Sequence, residues 1–126
     1  MATHDQCIFC NLNSERFIAE NELCLAIRDG FPVTKGHTLI IPKRHVADYF
    51  DLTSNEIAAM LTMMKEVKCQ LDNELHPDGY NIGINVNAAA GQTVFHMHIH
   101  LIPRYIGDVE NPKGGVRGVI PGKQKY

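Results

Sequence analysis

The stretch "TVFHMHIHLIP", Thr93 to Pro103, alternates polar and apolar residues with a period of two. That period belongs to an extended strand, whose successive side chains point to opposite faces. His96, His98 and His100 therefore share one face with Val94, and neighbouring imidazoles stand about 6.6 Å apart. Phe95, Met97, Ile99 and Leu101 take the other face, which the pattern predicts to be the core side. A chain built on this strand needs something apolar to cover one face. It keeps a row of imidazoles on the other, where a ligand can reach them.

The covering element is legible upstream. Thr53-Ser54-Asn55-Glu56 fits a capping box, in which a hydroxyl and a carboxylate satisfy each other's backbone amides. Behind it Ile57, Met60, Leu61, Met64, Val67, Leu71 and Leu75 recur at helical steps, and "HPDG" predicts the stop near His76. The Met60, Met63, Met64 cluster reads as helix packing. "LCLAIR" (23–28) and "HTLIIP" (37–42) read as strands separated by the Pro- and Gly-punctuated loop "FPVTKG". "YNIGINV" (80–86) reads as a further strand, followed by the small-residue loop "NAAAGQ" and a hairpin partner in the histidine strand. The order predicts an α+β domain with one long helix on one face of an antiparallel sheet.

At 126 residues the chain suits a single domain, with a core over about 7–104 and an irregular tail over 105–126. The net charge of −2 gives no general attraction to nucleic acid or membrane, and the tail's Lys113, Arg117, Lys123 and Lys125 are sparse. "MATHDQCIFC" lacks the pattern of a secretory signal, and no apolar run spans a bilayer. A cytoplasmic location is the expectation, with the four cysteines reduced.

Three readings of the histidine row compete: an accidental polar face, a metal site, and nucleophilic catalysis by one imidazole oriented by a neighbour. The preceding "NAAAGQT" favours a phosphoryl centre. Its small residues admit a ligand close to the backbone, and its amides, the Gln92 side chain and the Thr93 hydroxyl suit phosphate oxygens. Cys7 and Cys10 form a Cys-x-x-Cys pair, which by itself fits chance, redox or metal roles.

"HMHIHLI" resembles the histidine-triad pattern, three histidines separated by single apolar residues and followed by two more. "GQTVFHMHIHLIPR" and "IPKRH" are also similar to that family, and the resemblance runs from "CIFC" to about Arg104. It implies a histidine-triad (HIT-like) fold: an antiparallel sheet of about five strands packed on one long helix, with a short N-terminal helix. It also implies a nucleotide hydrolase or transferase acting at the α-phosphate of nucleotide conjugates. By resemblance His98 is the nucleophile, which forms a transient nucleotidyl-imidazole. His100 is the outer histidine near the phosphate, and Gln92 and Thr93 contact the phosphate. Asp29 holds the ribose, Asn85 supports the nucleotide site, and Ile8, Phe9, Leu12 and Ile27 enclose the base.

Some family members carry zinc on two cysteines and two histidines, matching here Cys7, Cys10, His45 and His96. That set is closed and four-membered, as structural zinc prefers. His96 then belongs either to the metal or to the catalytic row. Cys24 and Cys69 are expected to be buried, inert thiols, and His4, His37 and His76 to be surface or locally bonded residues. "GGVRGVIP" looks like the dinucleoside-polyphosphate hydrolase branch, although Gly118 stands where an aromatic is common. Cleavage of diadenosine polyphosphates, releasing AMP, is the first expectation and a purine nucleoside phosphoramidase the second; a nucleotide-binding regulatory protein with little turnover is the rival. A divalent ion accompanying the polyphosphate and a homodimer are also implied by the resemblance.

Overall fold

The structure is a computed structural model that describes residues 5–126. Its five strands are β1 (Phe17–Glu20), β2 (Cys24–Arg28), β3 (Thr38–Pro42), β4 (Gly79–Gly83) and β5 (Ile99–Arg104). They form one antiparallel sheet in the order β1-β2-β3-β5-β4. A single long helix, α1 (Ser54–Leu75), lies between β3 and β4 in sequence. This is the α+β architecture that the sequence predicts. Of the N-terminal helix, Asp5 and Gln6 carry helical backbone, and the rest of that expectation, with His4, falls outside the described residues.

The capping box is present. The Thr53 side chain accepts from the Glu56 amide at 3.1 Å, and the Glu56 carboxylate accepts from the Thr53 amide at 2.8 Å. Glu56 does a second job, because Arg44 reaches the same carboxylate through Nε and Nη2. That guanidinium is the largest cause holding the Glu56 carboxyl down at about 2. The pair ties the segment after β3 to the start of the helix, and His45 follows immediately. At the other end His76 adopts a left-handed conformation and closes the helix, which satisfies the stop expected there.

The core lies between α1 and the sheet. Met60, Met63, Val67 and Leu71 pack against Cys24, Ala26, Ile40, Met97, Ile99 and Leu101. The helix face is rotated slightly from expectation: Met63 is fully buried, whereas Leu61 is 48% exposed. A second cluster covers the opposite sheet face, where Phe9, Leu25, Ile27, Leu39 and Ile41 meet Cys7, Leu12, Phe17 and Val94. Strands β2 and β3 are thus buried on both faces, by the helix on one and by the N-terminal segment on the other.

Several expectations need correcting. β1 carries no strand signal in sequence, because four residues are too short to establish a period. β4 and β5 pair antiparallel, but residues 84–98 join them, so they form no tight hairpin. β5 begins only at Ile99, because the Met97 amide donates to the Val46 carbonyl at 2.7 Å and not to a strand partner. Met97, Ile99 and Leu101 still face the core, yet Phe95 does not and is 47% exposed. Cys24 is buried as expected, while Cys69 is exposed on the helix.

Candidate functional site

β3 pairs Leu39 with His100, and β4 sets Gly83 on its other side. His100 therefore lies on the sheet face away from α1, and the glycine opposite leaves the space beside it open. The histidine-bearing segment and residues 84–94 close over this face. The result is a cavity of about 390 Å³ whose walls include Phe9, Ile27, Asp29, Asn85, Thr93, His98 and His100. Ile8, Gln92 and Gly91 also line it. Leu12 does not: it packs into the second core cluster. Other cavities are larger; two of them, of about 490 and 560 Å³, lie beside the tail around Asn81, Arg104 and Asp108, and no histidine lines either. The chemistry, not the volume, marks the site.

The hydrogen bonds assign the tautomers. His98 Nδ1 lies 2.9 Å from the His96 carbonyl, which only accepts, so Nδ1 carries the proton. In the neutral ring Nε2 then keeps its lone pair. His100 is fixed through a residue expected to be merely local. His37 is 2% exposed, and its Nδ1 accepts the Val33 amide at 3.1 Å. Its proton must therefore be on Nε2, which faces His100 Nδ1 at 2.9 Å. His100 Nδ1 accepts, so its own proton is on Nε2. The arrangement pairs one lone-pair imidazole with one donor imidazole, their centroids 5.1 Å apart.

Burial favours the neutral form of both His37 and His100. Burial, with the neighbouring His98 and His37, pushes His100 down to about 4 against the opposing pull of Asp29. Burial also lowers His37, again against Asp29. Asp29 Oδ2 stands 3.4 Å from His37 Nε2, and its Oδ1 accepts the Phe31 amide at 2.8 Å. Asp29, His37 and His100 form a compact donor cluster. It suits a fixed hydrogen-bond chain that orients His100 better than a metal, because a cation on His37 Nε2 would force a proton onto Nδ1, where the Val33 amide already donates.

The loop before the histidines serves a different end from the one expected. Gln92 is buried; its Nε2 donates to the Ala47 and Val94 carbonyls, and its Oε1 accepts the Asn87 amide. Those bonds leave the side-chain amide no donor to spare for a phosphate. The backbone amides of Ala90, Gly91 and Gln92 also close turns within the loop. Gly91, at φ +95°, occupies a left-handed position that a side chain would strain. The loop is a braced wall, and the donors it leaves at the cavity include the Thr93 hydroxyl.

His96 turns away from this cavity. It is fully buried, and its Nε2 donates to the Pro42 carbonyl at 2.7 Å. Nδ1 is left to face Cys7 Sγ at 3.4 Å and Cys10 Sγ at 3.5 Å, while His45 Nδ1 lies 3.2 Å from Cys10 Sγ. Tetrahedral zinc with ordinary bond lengths would separate such S and N ligands by about 3.6 Å. The four donor atoms fit a small closed cation site, and the carbonyl behind His96 fixes its ligating tautomer. Burial and the adjacent Cys7 push the Cys10 thiol up to about 11. Phe9 stands edge-on to both His96 and His98, with centroids 6.0 and 5.0 Å away.

Comparison with known proteins agrees with this geometry. Residues 11–107 match the HIT domain model. An uncharacterised HIT-like protein of Mycoplasma genitalium is 40% identical, covering 82% of this chain and 76% of that protein. An adenylylsulfatase of Arabidopsis thaliana is 35% identical over 79% of this chain and 53% of its own length. An AP-4-A phosphorylase of Mycobacterium tuberculosis is 32% identical over 72% and 47%. A zinc-bound histidine triad family protein from Mycobacterium smegmatis superposes with a TM-score of 0.75 at 41% identity, covering 83% of this chain and 79% of that one. The match to the HIT domain over residues 11–107, on this sheet and helix, places the chain in the histidine triad family.

Proposed function

We propose that the protein hydrolyses nucleotide conjugates at the α-phosphate through a covalent nucleotidyl-His98 intermediate. The observation that carries this is the pairing of tautomers: a lone pair at His98 Nε2 beside a proton at His100 Nε2, in one cavity. His98 Nε2 attacks phosphorus, a P–N bond forms, and the P–O bond to the remaining polyphosphate breaks. Donors from His100 and Thr93 offset charge on the phosphoryl oxygens. Water then attacks phosphorus, releases the nucleoside monophosphate and returns the lone pair to His98. Asp29 holds the ribose, Asn85 supports it, and Ile8, Phe9 and Ile27 enclose a purine. Gln92 acts by bracing the loop.

Diadenosine polyphosphates, giving AMP, are the first substrates to try. The names of the mycobacterial and plant relatives, which concern adenylyl compounds, support that choice. Purine nucleoside phosphoramidates are second. A divalent ion accompanies the polyphosphate. Cys7, Cys10, His45 and His96 hold structural zinc, a reading supported by the donor set and by the zinc-bound relative. The protein works as a homodimer in a reducing compartment, in keeping with four unpaired thiols. No helix among the described residues is long and apolar enough to cross a membrane.

Product analysis by phosphorus NMR over a panel of adenosine conjugates tests the reading. AMP from a diadenosine polyphosphate is the expected result. Absence of nucleoside monophosphate from every conjugate would leave only nucleotide binding.

A further inference from the structure

Arg16 lines the same cavity, and it is the one lysine or arginine that does so. It precedes β1, whereas the imidazoles belong to β5 and its approach, so β2 and β3 lie between them. Arg16 therefore enters the cavity from the β1 side, two strands away from the imidazole strand. Its Nη2 donates to the Arg28 carbonyl at 3.2 Å, between the cavity residues Ile27 and Asp29. No ion pair to Arg16 occurs among the described residues. A guanidinium carries five donors and no acceptor. The bond to the Arg28 carbonyl uses one of them, which leaves four for a ligand in the cavity.

We propose that Arg16 reads the edge of the base and makes guanosine conjugates better ligands than adenosine conjugates. The inference rests on the placement of the base against Ile8, Phe9 and Ile27 given above. Guanine presents O6 and N7 as two adjacent acceptors, which match the guanidinium fork. Adenine presents N7 beside the N6 amino group, a donor that meets another donor. The fork, and not the charge alone, makes the distinction, so lysine is no equivalent. Arg16 is exposed, and water competes for its donors, so the preference is set at about tenfold, near the lower end for such pairs. Diadenosine compounds remain substrates, and their guanosine counterparts bind more tightly.

The test is calorimetric binding of GMP and AMP to the full chain and to its Arg16→Ala and Arg16→Lys variants. The wild type is expected to bind GMP about tenfold more tightly than AMP. Arg16→Ala should bring the ratio near one by weakening GMP, with AMP changed less than about threefold, which also shows that the variant is folded. Arg16→Lys, which keeps the charge, should lose most of the preference. Equal binding of the two nucleotides by the wild type would overturn the inference, as would an equal loss of both in Arg16→Ala. Because binding is the readout, a GMP preference that Arg16→Ala abolishes upholds the inference even if no conjugate is hydrolysed. Hydrolysis without base preference has the opposite meaning.

Discussion

His37 shows what a sequence conceals at the scale of a residue. Sixty-three positions separate it from His100, and nothing in "TKGHTLII" marks it as other than a strand-edge histidine. Folding buries it and makes it the partner of His100 Nδ1, through a chain that starts at the Val33 amide. The histidine row was legible because its period announces a shared face; His37 was not, because its partner comes from another strand. The strand period alone put His96 beside His98 and His100, and only the resemblance offered it to the metal set; the Pro42 carbonyl behind it is what turns it that way. His37→Ala releases the His100 tautomer and leaves its Nδ1 without that donor. Losing a partner that orients an imidazole costs about 10- to 100-fold in well-studied metal sites. Steady-state kinetics are expected to show a fall of that order in kcat with KM nearly unchanged, while AMP binding by calorimetry persists. A rise in KM with kcat intact would reduce His37 to a packing residue.

Among the elements, α1 was the most legible. Its start, its stop and most of its buried face follow from capping and periodicity. The loop at 87–92 was half legible. Its small residues and glycine correctly marked a ligand-facing turn, but Gln92 was read as a ligand donor where it is a brace. A glutamine in a small-residue loop looks the same in either role, and only the Ala47 and Val94 carbonyls, one of them 45 residues away, decide it. Gln92→Ala removes a partner from two carbonyls and the Asn87 amide in a buried setting. Each group left unsatisfied costs about 1–3 kcal/mol. Urea unfolding should show a loss of at least about 1 kcal/mol, accompanied by a larger drop in kcat/KM than in stability terms alone. An unchanged denaturation midpoint would mean that water replaces the amide without cost.

At the scale of the molecule, the fold joins two sites on one sheet face through a single segment, in which His96 serves one and His98 the other. Phe9, edge-on to both, carries the N-terminal segment between them. The Cys-x-x-Cys pair was ambiguous in sequence, and becomes a candidate cation site because the segment after β3 and the β5 approach bring His45 and His96 to it. Zinc there would displace thiol protons, including that of Cys10, so its binding weakens as pH falls. Elemental analysis of protein purified without chelator should give one zinc per chain. Stripping it should lower the melting temperature and expose residues 5–12 to protease; a metal-free chain with unaltered stability would refute the zinc reading. The central claim concerns His98, and the most direct measurement is mass spectrometry of protein quenched in acid-free conditions during turnover of a diadenosine polyphosphate. One adenylyl group is expected on His98 in the wild type and none in His98→Ala, with no AMP formed by that variant even though it still binds AMP. Near-normal AMP release by His98→Ala, or an adenylyl group on another residue, would contradict it.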